Sequence, residues 1–576
     1  MVALALGCAP ADSLPGFEGP GDASARDAVR PTAELENLRA FAHLYGYVRF
    51  FHPTDAAAEA DWQMLAASGV ASIRDADSVG DLADRLDAIA RPYAPSMQLW
   101  TSDEPTPRVP DAPHARGDLV YWQYQGYRGT PVTFYRPPYR HVRVGADDRT
   151  YRTFTEAPMP DARVDEELAP DLHVRLPIVL DRARAAQAEP FEADDADVDD
   201  LDIRYGAVIE AWNVLRHFYP YQDAIADDWD AILDDALTDV ADDASTQDTV
   251  ATLRRMIHRI QDGHGEVGHD DLPRRSTLAV RLELVDGAAV VTGTSQPEMF
   301  AVGDVVESID GEPVVPRIDH VASELSGTEH WRRFKAAAWI VPSGPSGATA
   351  DVTVRRGKRA HTLSARFVRE APPRPHRPEA IHRYDDGVFY VDLTRAKWDE
   401  IEPRMEEIAA ARGVVFDLRG YPEDTHRVLE HLLVEPEDAT WMHVPRFVEP
   451  GGEPVAWQDI GWHLRPAEPR ITGEVTFLVS AEAISYAESV LGYVEAHDLG
   501  TVIGSTPSAG TNGDIVRVDT VGGFWIIFTG MRVTHHDGRD FHLRGVAPDL
   551  VVEPTLAGLR AGRDEQLDAA LRSIRG

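Results

Sequence analysis

Lysine and cysteine are almost absent from this sequence. The only lysines are Lys335, Lys358 and Lys397, and arginine supplies the rest of the 57 basic residues. No lysine follows Lys397, so a mechanism that needs a lysine after that position is set aside, unless a distant lysine folds in. The single cysteine, Cys8, excludes an internal disulfide framework and a cysteine-rich zinc site.

Positive charge and long apolar runs are also scarce. The formal net charge of -39 disfavours binding to nucleic acid or to anionic lipid, because both depend on clustered Lys and Arg. No segment approaches the roughly 20 apolar residues that a membrane-spanning helix requires. With 43% hydrophobic and 27% charged residues, the 576-residue chain is typical of a globular protein of about three or four domains.

The first residues resemble the end of a bacterial lipoprotein signal. A short apolar stretch reaches the small-residue pair Leu6-Gly7 before Cys8, and a segment rich in Pro, Gly and Asp follows. Residues 1–30 are therefore interpreted as a leader and linker. This interpretation implies export, to the periplasm or to a membrane through a lipid anchor at Cys8. The alternative is a frayed terminus with an incidental cysteine, on an otherwise soluble protein.

An internal repeat is visible in the N-terminal half. The segment Tyr45–Pro53 aligns without gaps on Trp212–Pro220, and the same offset pairs Trp62 with Trp229. Both copies begin with an amphipathic pattern that breaks at the proline, which predicts a small helical bundle for each, with the aromatic residues in its core. The two predicted helical repeats are residues 31–96 and residues 203–272.

The segment between the repeats has a different pattern. Residues 97–188 alternate apolar and polar side chains between turn signals, as in Leu119–Tyr124 and Leu172–Val179, and this predicts a β-rich insert. The run of Asp and Glu at residues 189–202 predicts a solvated acidic linker.

Residues 273–372 predict strands around one helix. Within them, the apolar alternation of Gly303–Val314 ends in an Asp310-Gly311 turn. This pattern resembles a PDZ domain, a module that binds peptide termini by adding a strand to an exposed sheet edge. The alternative is a β-sandwich without affinity for peptides.

The last segment, residues 373–576, alternates strand and helix patterns. Short apolar runs rich in β-branched residues begin at Gly387, Gly413 and Val475, which predicts a mainly parallel sheet flanked by helices. The predicted fold class is thus multi-domain α+β, with an α/β core in the last third. In such a core, functional residues collect at the carboxyl ends of the strands.

Ser485 is the first residue of a predicted helix in this core. Unpaired backbone amides at that position favour developing negative charge. Serine is also a common helix cap, and the Ser485-x-x-Glu488 spacing fits a capping box. Taken alone, Ser485 is more typical of a cap than of a nucleophile.

Six motifs in order resemble the C-terminal-processing and tricorn-type serine peptidases. Over residues 205–556 they are Asp-Gly-His at Asp262, the PDZ-like module, Asp-Leu-Arg-Gly at Asp417, Ser-x-x-Glu at Ser485, Gly504–Gly510 and Gly545–Asp549. The resemblance implies a catalytic core of the C-terminal-processing type at residues 373–576. It also implies that Ser485 is the nucleophile, with Ser489 as the less favoured candidate.

The branches of this family differ in the base that activates the serine. One branch uses a lysine that follows the serine, at a position that Gly510 occupies here. The tricorn-like branch uses a histidine from the region before the PDZ-like module, which corresponds to His264. Because a histidine of near-neutral pKa can take the serine proton and return it to the leaving amine, His264 is the predicted general base and His269 its rival.

The resemblance also assigns the groups around the serine and the base. The family's acid that orients the histidine corresponds here to His542, which is a departure from glutamate. The alternative orienting groups are Asp540, Glu266 and Glu488. The oxyanion is assigned to the backbone amides of Gly420 and Tyr486.

No metal or cofactor is expected. The 22 histidines include the adjacent pair His535-His536 beside Asp537, but neighbouring residues of a strand point to opposite faces and chelate poorly. The resemblance to these peptidases, together with the lipoprotein-like first residues, implies an exported bacterial serine endopeptidase that acts on peptides or proteins. The alternative is a peptide-binding protein on the same fold that has lost catalysis. No pattern indicates an oligomeric state.

Overall fold

A computed structural model of the chain gives its fold. The structure describes residues 32–113, 119–128, 130–131, 139–147, 151–187, 198–272, 275–369, 377–422 and 424–576. The predicted leader with Cys8 lies outside the described residues, and so do residues 189–197 of the predicted acidic linker.

Two groups of helices pack together on the N-terminal side. The helices are Ala33–Phe51, Asp55–Glu59, Trp62–Ile73 and Val79–Ala90 in the first group, and Asp200–Phe218, Trp229–Ala241 and Thr246–Arg259 in the second. Corresponding side chains make the same contact: the Tyr45 hydroxyl donates to the Trp62 carbonyl, and Trp212 Nε1 donates to the Trp229 carbonyl, both at 2.8 Å. These matching contacts favour the internal repeat, which stays a prediction.

The end of the predicted acidic linker is helical. The helix Asp200–Phe218 begins inside residues 189–202 because Asp199 caps it, accepting from the backbone N–H groups of Leu201 and Asp202. The acidic run therefore includes a helix start, which the charge pattern alone did not indicate.

The segment after the first helices consists mainly of short strands. They are Gln98–Thr101, Leu119–Gln125, Thr130–Pro131, Arg140–Val144, Arg163–Ala169, Leu172–Pro177 and Leu180–Asp181, followed by the helix Arg182–Ala185. Two of these strands are built into sheets of the C-terminal part. Leu119–Gln125 pairs with Met442–Phe447, and Thr130–Pro131 pairs with Ile515–Asp519. The insert and the last third of the chain thus share sheets.

The middle of the chain forms a six-stranded antiparallel sheet. Its strands are Val280–Val285, Ala288–Thr294, Val305–Ile309, Glu312–Pro313, Thr349–Arg356 and Arg359–Arg366, its helices are Val314–Glu324 and Glu329–Lys335, and the short strands Arg275–Thr277 and Ser343–Pro345 pair beside it. The helix Val314–Glu324 covers a core that includes Leu282 and Val352. The PDZ-like character of this module stays a prediction.

The last third contains the sheet that its apolar runs predict. In spatial order its strands are Ile381–Arg383, Val388–Asp392, Gly413–Asp417, Glu474–Val479, Thr501–Gly504 and Leu550–Val551. All neighbours run parallel except the first pair, so the predicted parallel sheet is confirmed. Alternate side chains of one strand enter two separate cores, Phe389 on one face and Tyr390 on the other, because helices cover both faces.

The remaining elements surround that sheet. They are the helices Trp398–Ile401, Met405–Ala409, Tyr486–His497, Leu556–Arg560 and Glu565–Arg575, and the strands Met442–Phe447, Ala456–Ile460, Ile515–Asp519, Phe524–Thr529 and Arg532–Val533. No helix in the described part of the chain combines the length and the apolar character needed to cross a membrane.

One long-range pairing joins the second helical group to the last third. The strand Glu266–His269 runs antiparallel to Phe524–Thr529, with Glu266 opposite Ile527. Continued by two residues, this register places His264 opposite Thr529. Phe524 and Phe528 enter the same core as the N-terminal helices, so apolar packing supports the pairing.

The contact between the two helical groups generates a stability prediction. A Cβ added to Gly46 would lie 1.8 Å from Oδ1 of the buried Asn213, so Gly46→Ala forces the helices apart. We expect it to lower the free energy of unfolding by about 1–3 kcal/mol, measured by chemical denaturation. Gly80→Ala is the matched control, since a Cβ there meets nothing within 4 Å. Equal stability of the two variants would contradict the packing.

Candidate active site

Ser485 lies in a strained turn between the strand Glu474–Val479 and the helix Tyr486–His497, hereafter the nucleophile helix. Its backbone has φ 58° and ψ -115°, a combination that residues other than glycine seldom adopt. Its N–H donates to the Thr511 carbonyl at 3.0 Å and to Glu488 Oε2 at 3.1 Å. The fold therefore holds Ser485 in an unfavourable conformation, which is typical of functional turns.

Glu488 holds the turn from within the nucleophile helix. Besides the Ser485 N–H, its carboxylate accepts from Ser508 Oγ at 2.6 Å, from the Gly510 N–H at 2.7 Å and from the Thr511 N–H at 3.0 Å. Burial raises the pKa of Glu488 to about 8, against the opposing effect of these hydrogen bonds. Glu488 thus ties Gly504–Gly510 to the serine turn, and these contacts are directed at Ser485 rather than at His264.

His264 is buried at the end of the strand pairing described above. Its Nδ1 lies 2.9 Å from Thr529 Oγ1, and the Thr529 hydroxyl donates to Asp262 Oδ1 at 2.8 Å. Since the single hydroxyl hydrogen is directed at Asp262, Thr529 can only accept from His264, and Nδ1 must carry the ring hydrogen. The lone pair of neutral His264 is therefore on Nε2, as a general base requires.

The surroundings of His264 keep the ring neutral. Burial, with a smaller contribution from the charge of Lys335, lowers the pKa of His264 to about 3, while Glu266 acts in the opposite direction. Lys335 and Glu266 form an ion pair at 2.9 Å. Lys335, which is distant from Ser485 in the sequence, thus lies near His264, but its ammonium group is bound to Glu266.

His542, which the motif pattern assigned to the orienting position, does not contact the ring of His264. It stacks on Tyr221 with ring centroids 4.4 Å apart, and its Nε2 has no hydrogen-bond partner among the described residues. Burial lowers the pKa of His542, and the nearby charge of Asp262 opposes this effect. Of the alternatives, Asp540 binds Arg532 at 2.7 Å. The side chain that contacts the His264 ring is Thr529, whose hydroxyl in turn donates to Asp262.

Sequence reasoning missed both members of this orienting pair. Asp262 is part of the Asp-Gly-His element, and its Oδ1 also accepts the His264 backbone N–H at 3.0 Å, so the two-residue spacing was an available signal. Thr529 carried no local signal, since only the register of a long-range strand pair brings it to His264.

The rival residues lie elsewhere. His269 Nε2 is 2.7 Å from the Gly522 carbonyl, and the ring packs on Phe524, roughly 17 Å along the strand from Thr529. Ser489 lies one turn further into the nucleophile helix, where its hydroxyl donates to Asn512 Oδ1 at 3.0 Å. The structure thus separates both from the network around His264.

Thr511 links the Ser485 turn to the segment that carries His264. The Gly263 N–H donates to Thr511 Oγ1 at 3.0 Å, while the Ser485 N–H binds the carbonyl of the same Thr511. The Ser485 hydroxyl donates to the Gly513 carbonyl at 3.3 Å and not to His264. Gly513 has φ 118°, and a Cβ there would lie 3.0 Å from Thr529 Cγ2, so glycine is required at this contact.

The loop after Gly413–Asp417 carries the predicted oxyanion amide. The Gly420 N–H donates to the Leu418 carbonyl at 2.8 Å, so this amide is engaged within its own turn. Arg419 fastens the loop, binding Asp417 and Asp564 at 2.7 Å each. Tyr486 contributes the first backbone amide of the nucleophile helix.

The helix Glu329–Lys335, which belongs to the antiparallel module in the middle of the chain, covers Ser485 and His264. At its start Thr328 Oγ1 donates to the Ala509 carbonyl at 2.8 Å, and Trp331 Nε1 donates to the Gly263 carbonyl at 3.0 Å. Ser485 is 7% exposed and His264 is 6% exposed. Beside this cover, a cavity of about 510 Å³ lies between the middle module and the parallel sheet, lined by Arg281, Phe334, Arg377 and Glu482 among others.

Comparison with known proteins supports the peptidase interpretation. No curated protein matches the sequence. Residues 430–552, which include Ser485 and Glu488, match the family model described as peptidase family S41.

The solved structures of mature CPAF are similar in fold. Mature CPAF complexed with lactacystin aligns with a TM-score of 0.52 at 13% identity, over 64% of this chain and 97% of its own. Mature CPAF aligns with a TM-score of 0.50 at 12% identity, over 64% and 96%. The photosystem II D1 C-terminal processing protease has a TM-score of 0.40 at 14% identity, over 66% and 98%. The family match covers the segment that carries Ser485, and the fold is similar to that of mature CPAF, so the resemblance to the peptidases of family S41 is confirmed.

Proposed function

We propose that the chain is a serine endopeptidase in which Ser485 attacks the scissile carbonyl and His264 is the general base. The observation that carries this proposal is the chain of hydrogen bonds from Asp262 through Thr529 to His264 Nδ1, which leaves Nε2 as the basic nitrogen. The strained turn at Ser485 and its shared neighbour Thr511 support the assignment of the nucleophile. Protein or peptide substrates follow from the family.

The proposed reaction has two proton transfers by the same ring. When Ser485 Oγ bonds to the carbonyl carbon, its proton passes to His264 Nε2, and the imidazolium then gives that proton to the leaving amine. Water repeats the sequence on the acyl-enzyme, releasing the acid and restoring the serine hydroxyl. The hydroxyl of Thr529 and the carboxylate of Asp262 hold the ring in the reactive tautomer throughout.

Two hydrogen bonds exchange before the attack. The Ser485 hydroxyl must leave the Gly513 carbonyl for His264 Nε2, and the Gly420 N–H must leave the Leu418 carbonyl to reach the oxyanion. We assign the second oxyanion donor to the Tyr486 amide at the start of the nucleophile helix, where the helix dipole favours negative charge. Substrate binding is the event that drives both exchanges, because the described site is covered.

Access of the substrate depends on the middle module in this proposal. Its short helix Glu329–Lys335 lies between solvent and the catalytic groups, held to the Gly504–Gly510 loop by Thr328 and His330, whose Nε2 is 2.7 Å from the Ser508 carbonyl. A peptide docked on the PDZ-like module would displace this helix.

Export of the chain, with a lipid anchor at Cys8, is part of the same proposal and rests on the sequence alone.

A peptide-binding protein without catalysis is the second candidate, favoured by the bond of Ser485 to Gly513 instead of His264. Labelling with a fluorophosphonate distinguishes the two functions. We expect the wild type to be labelled and to cleave unstructured peptides, and Ser485→Ala to lose labelling and at least about 10³-fold of the hydrolysis rate. Ser489→Ala, the matched control, keeps both. Absence of labelling and of proteolysis in the wild type at several salt concentrations would favour the second candidate.

Thr529 offers a test of the orienting network. We expect Thr529→Val to lower kcat by about 10²-fold with little change in KM, because valine keeps the shape but neither accepts from His264 Nδ1 nor donates to Asp262. Thr529→Ser restores the hydroxyl and should recover activity to within about tenfold of the wild type. If valine and serine variants have the same kcat, Thr529 does not position the base.

The charges near His264 generate a pH prediction. Activity requires the neutral ring, so the acid limb of kcat/KM should lie below the ordinary histidine pKa of about 6.5. Lys335 lowers the pKa of His264, and Lys335→Met should therefore move the acid limb to higher pH by roughly one unit. Glu266 raises that pKa, and Glu266→Gln should move the limb to lower pH.

The pH profiles are measured on variants whose thermal unfolding shows an intact fold, since each substitution leaves its ion-pair partner buried. Lys358→Met, at an exposed turn, is the control and should reproduce the wild-type profile. Shifts of the same sign in both variants would show that His264 is not the group that titrates.

A further inference from the structure

Three side chains with metal-binding atoms converge at the far end of the nucleophile helix. They are Glu437, His497 and His536, and one potential ligand atom of each lies within 4.8 Å of those of the others. His497 is the last residue of the helix, Glu437 precedes the strand Met442–Phe447, and His536 follows the strand Arg532–Val533. Segments distant in sequence thus meet at one point, outside the candidate active site.

The carboxylate of Glu437 is buried, and only one of its two oxygens accepts a hydrogen bond from the described residues. Its side chain is 7% exposed, and Oε1 accepts the Ala439 N–H at 2.6 Å. Oε2 has no hydrogen-bond partner among the described residues, and it lies 3.8 Å from His536 Nε2. Because a buried acceptor without a partner is unfavourable, a cation bound at this oxygen would stabilise it.

His536 is buried in the same way. Its side chain is 11% exposed, and neither ring nitrogen has a hydrogen-bond partner in the described part of the chain. Tyr493 contacts the ring edge-on with centroids 4.7 Å apart, and Trp441 stacks on it at 6.0 Å. The Tyr493 hydroxyl, which accepts from Trp441 Nε1 at 3.0 Å, lies beside the Glu437 carboxylate. Aromatic packing therefore fixes the ring while leaving its nitrogens for another partner.

We propose that Glu437, His497 and His536 bind one divalent transition-metal ion of the zinc class. Two imidazole nitrogens and one carboxylate oxygen are a ligand set that zinc prefers, with water in the fourth position on the side of the exposed His497. The negative end of the helix dipole, at His497, favours a cation there. The ion fastens the helix end to the two loops, and roughly 18 Å of helix separate it from Ser485.

The sequence expectation of no metal rested on the adjacent pair His535-His536. The two rings do point apart, since His535 Nδ1 binds Glu495 Oε2 at 2.5 Å and only His536 faces the cluster. The other two ligands come from positions that no local spacing connects to His536. A zinc-spacing motif is therefore absent although the ligand set is present.

The test uses the untagged full-length chain, freed of metal with a chelator and titrated with Zn²⁺ in a calorimeter. We expect one equivalent to bind and the unfolding temperature to rise with Zn²⁺ concentration. His497→Ala, at an exposed position that the fold tolerates, should weaken binding at least about tenfold and abolish the thermal shift. Glu437→Gln should weaken binding similarly. Peptide hydrolysis by His497→Ala should stay at the wild-type level below its unfolding temperature, because the site is remote from Ser485.

His320→Ala is the matched control, since His320 is an exposed histidine beside Glu324 on another helix. It should bind Zn²⁺ as the wild type does. Failure of the wild type to bind one equivalent, or equal affinity of the His497→Ala and His320→Ala variants, would overturn the site. Absorption of the Co²⁺-loaded chain tests the geometry independently: intense visible bands indicate four-coordination, and weak octahedral bands would contradict the proposed ligand set.

Discussion

The antiparallel pairing of Glu266–His269 with Phe524–Thr529 is the interaction on which the rest of the site depends. It joins the end of the second helical group to the last third of the chain, and its register determines which side chain stands opposite His264. A slip by one residue would turn every side chain of the strand to the other face and remove Thr529 from the histidine. The apolar side chains of Phe524 and Phe528, buried with the N-terminal helices, make that register strongly preferred.

Buried polar networks then fix the groups that strand pairing has brought near. Glu488 accepts hydrogen bonds from four groups, one on the serine turn and three within residues 508–511. Asp417, Arg419 and Asp564 anchor the loop after the strand Gly413–Asp417. Such networks are costly when incomplete, because each lost partner leaves a polar atom unsatisfied in a low-dielectric interior. Their completeness explains how Ser485 is kept at a positive φ that isolated serine would leave.

Local sequence patterns predicted those features of the structure that depend on interactions between residues close in sequence. The β-branched runs predicted the parallel sheet, and the order of six motifs predicted the resemblance to peptidase family S41 that residues 430–552 show. The orienting residue could not be predicted in the same way. His542 occupies the position that the family pattern indicated, yet it stacks on Tyr221, while Thr529 reaches His264 only through a strand register that no local signal specifies. The same limit applies to the cluster at Glu437, whose members share no spacing in the chain.

The insertion of Leu119–Gln125 and Thr130–Pro131 into sheets of the last third has a consequence for how the chain folds. Contacts between residues so distant in sequence form slowly, because chain entropy is lost before their energy is gained. During synthesis, the residues that hold the Ser485 turn, Ser508 to Gly513, emerge after it, and His264 acquires its partner Thr529 later still. In the proposed mechanism, a nascent or partly folded chain therefore lacks the assembled groups that peptide cleavage needs. On this proposal, the long-range topology itself delays activity until folding is complete.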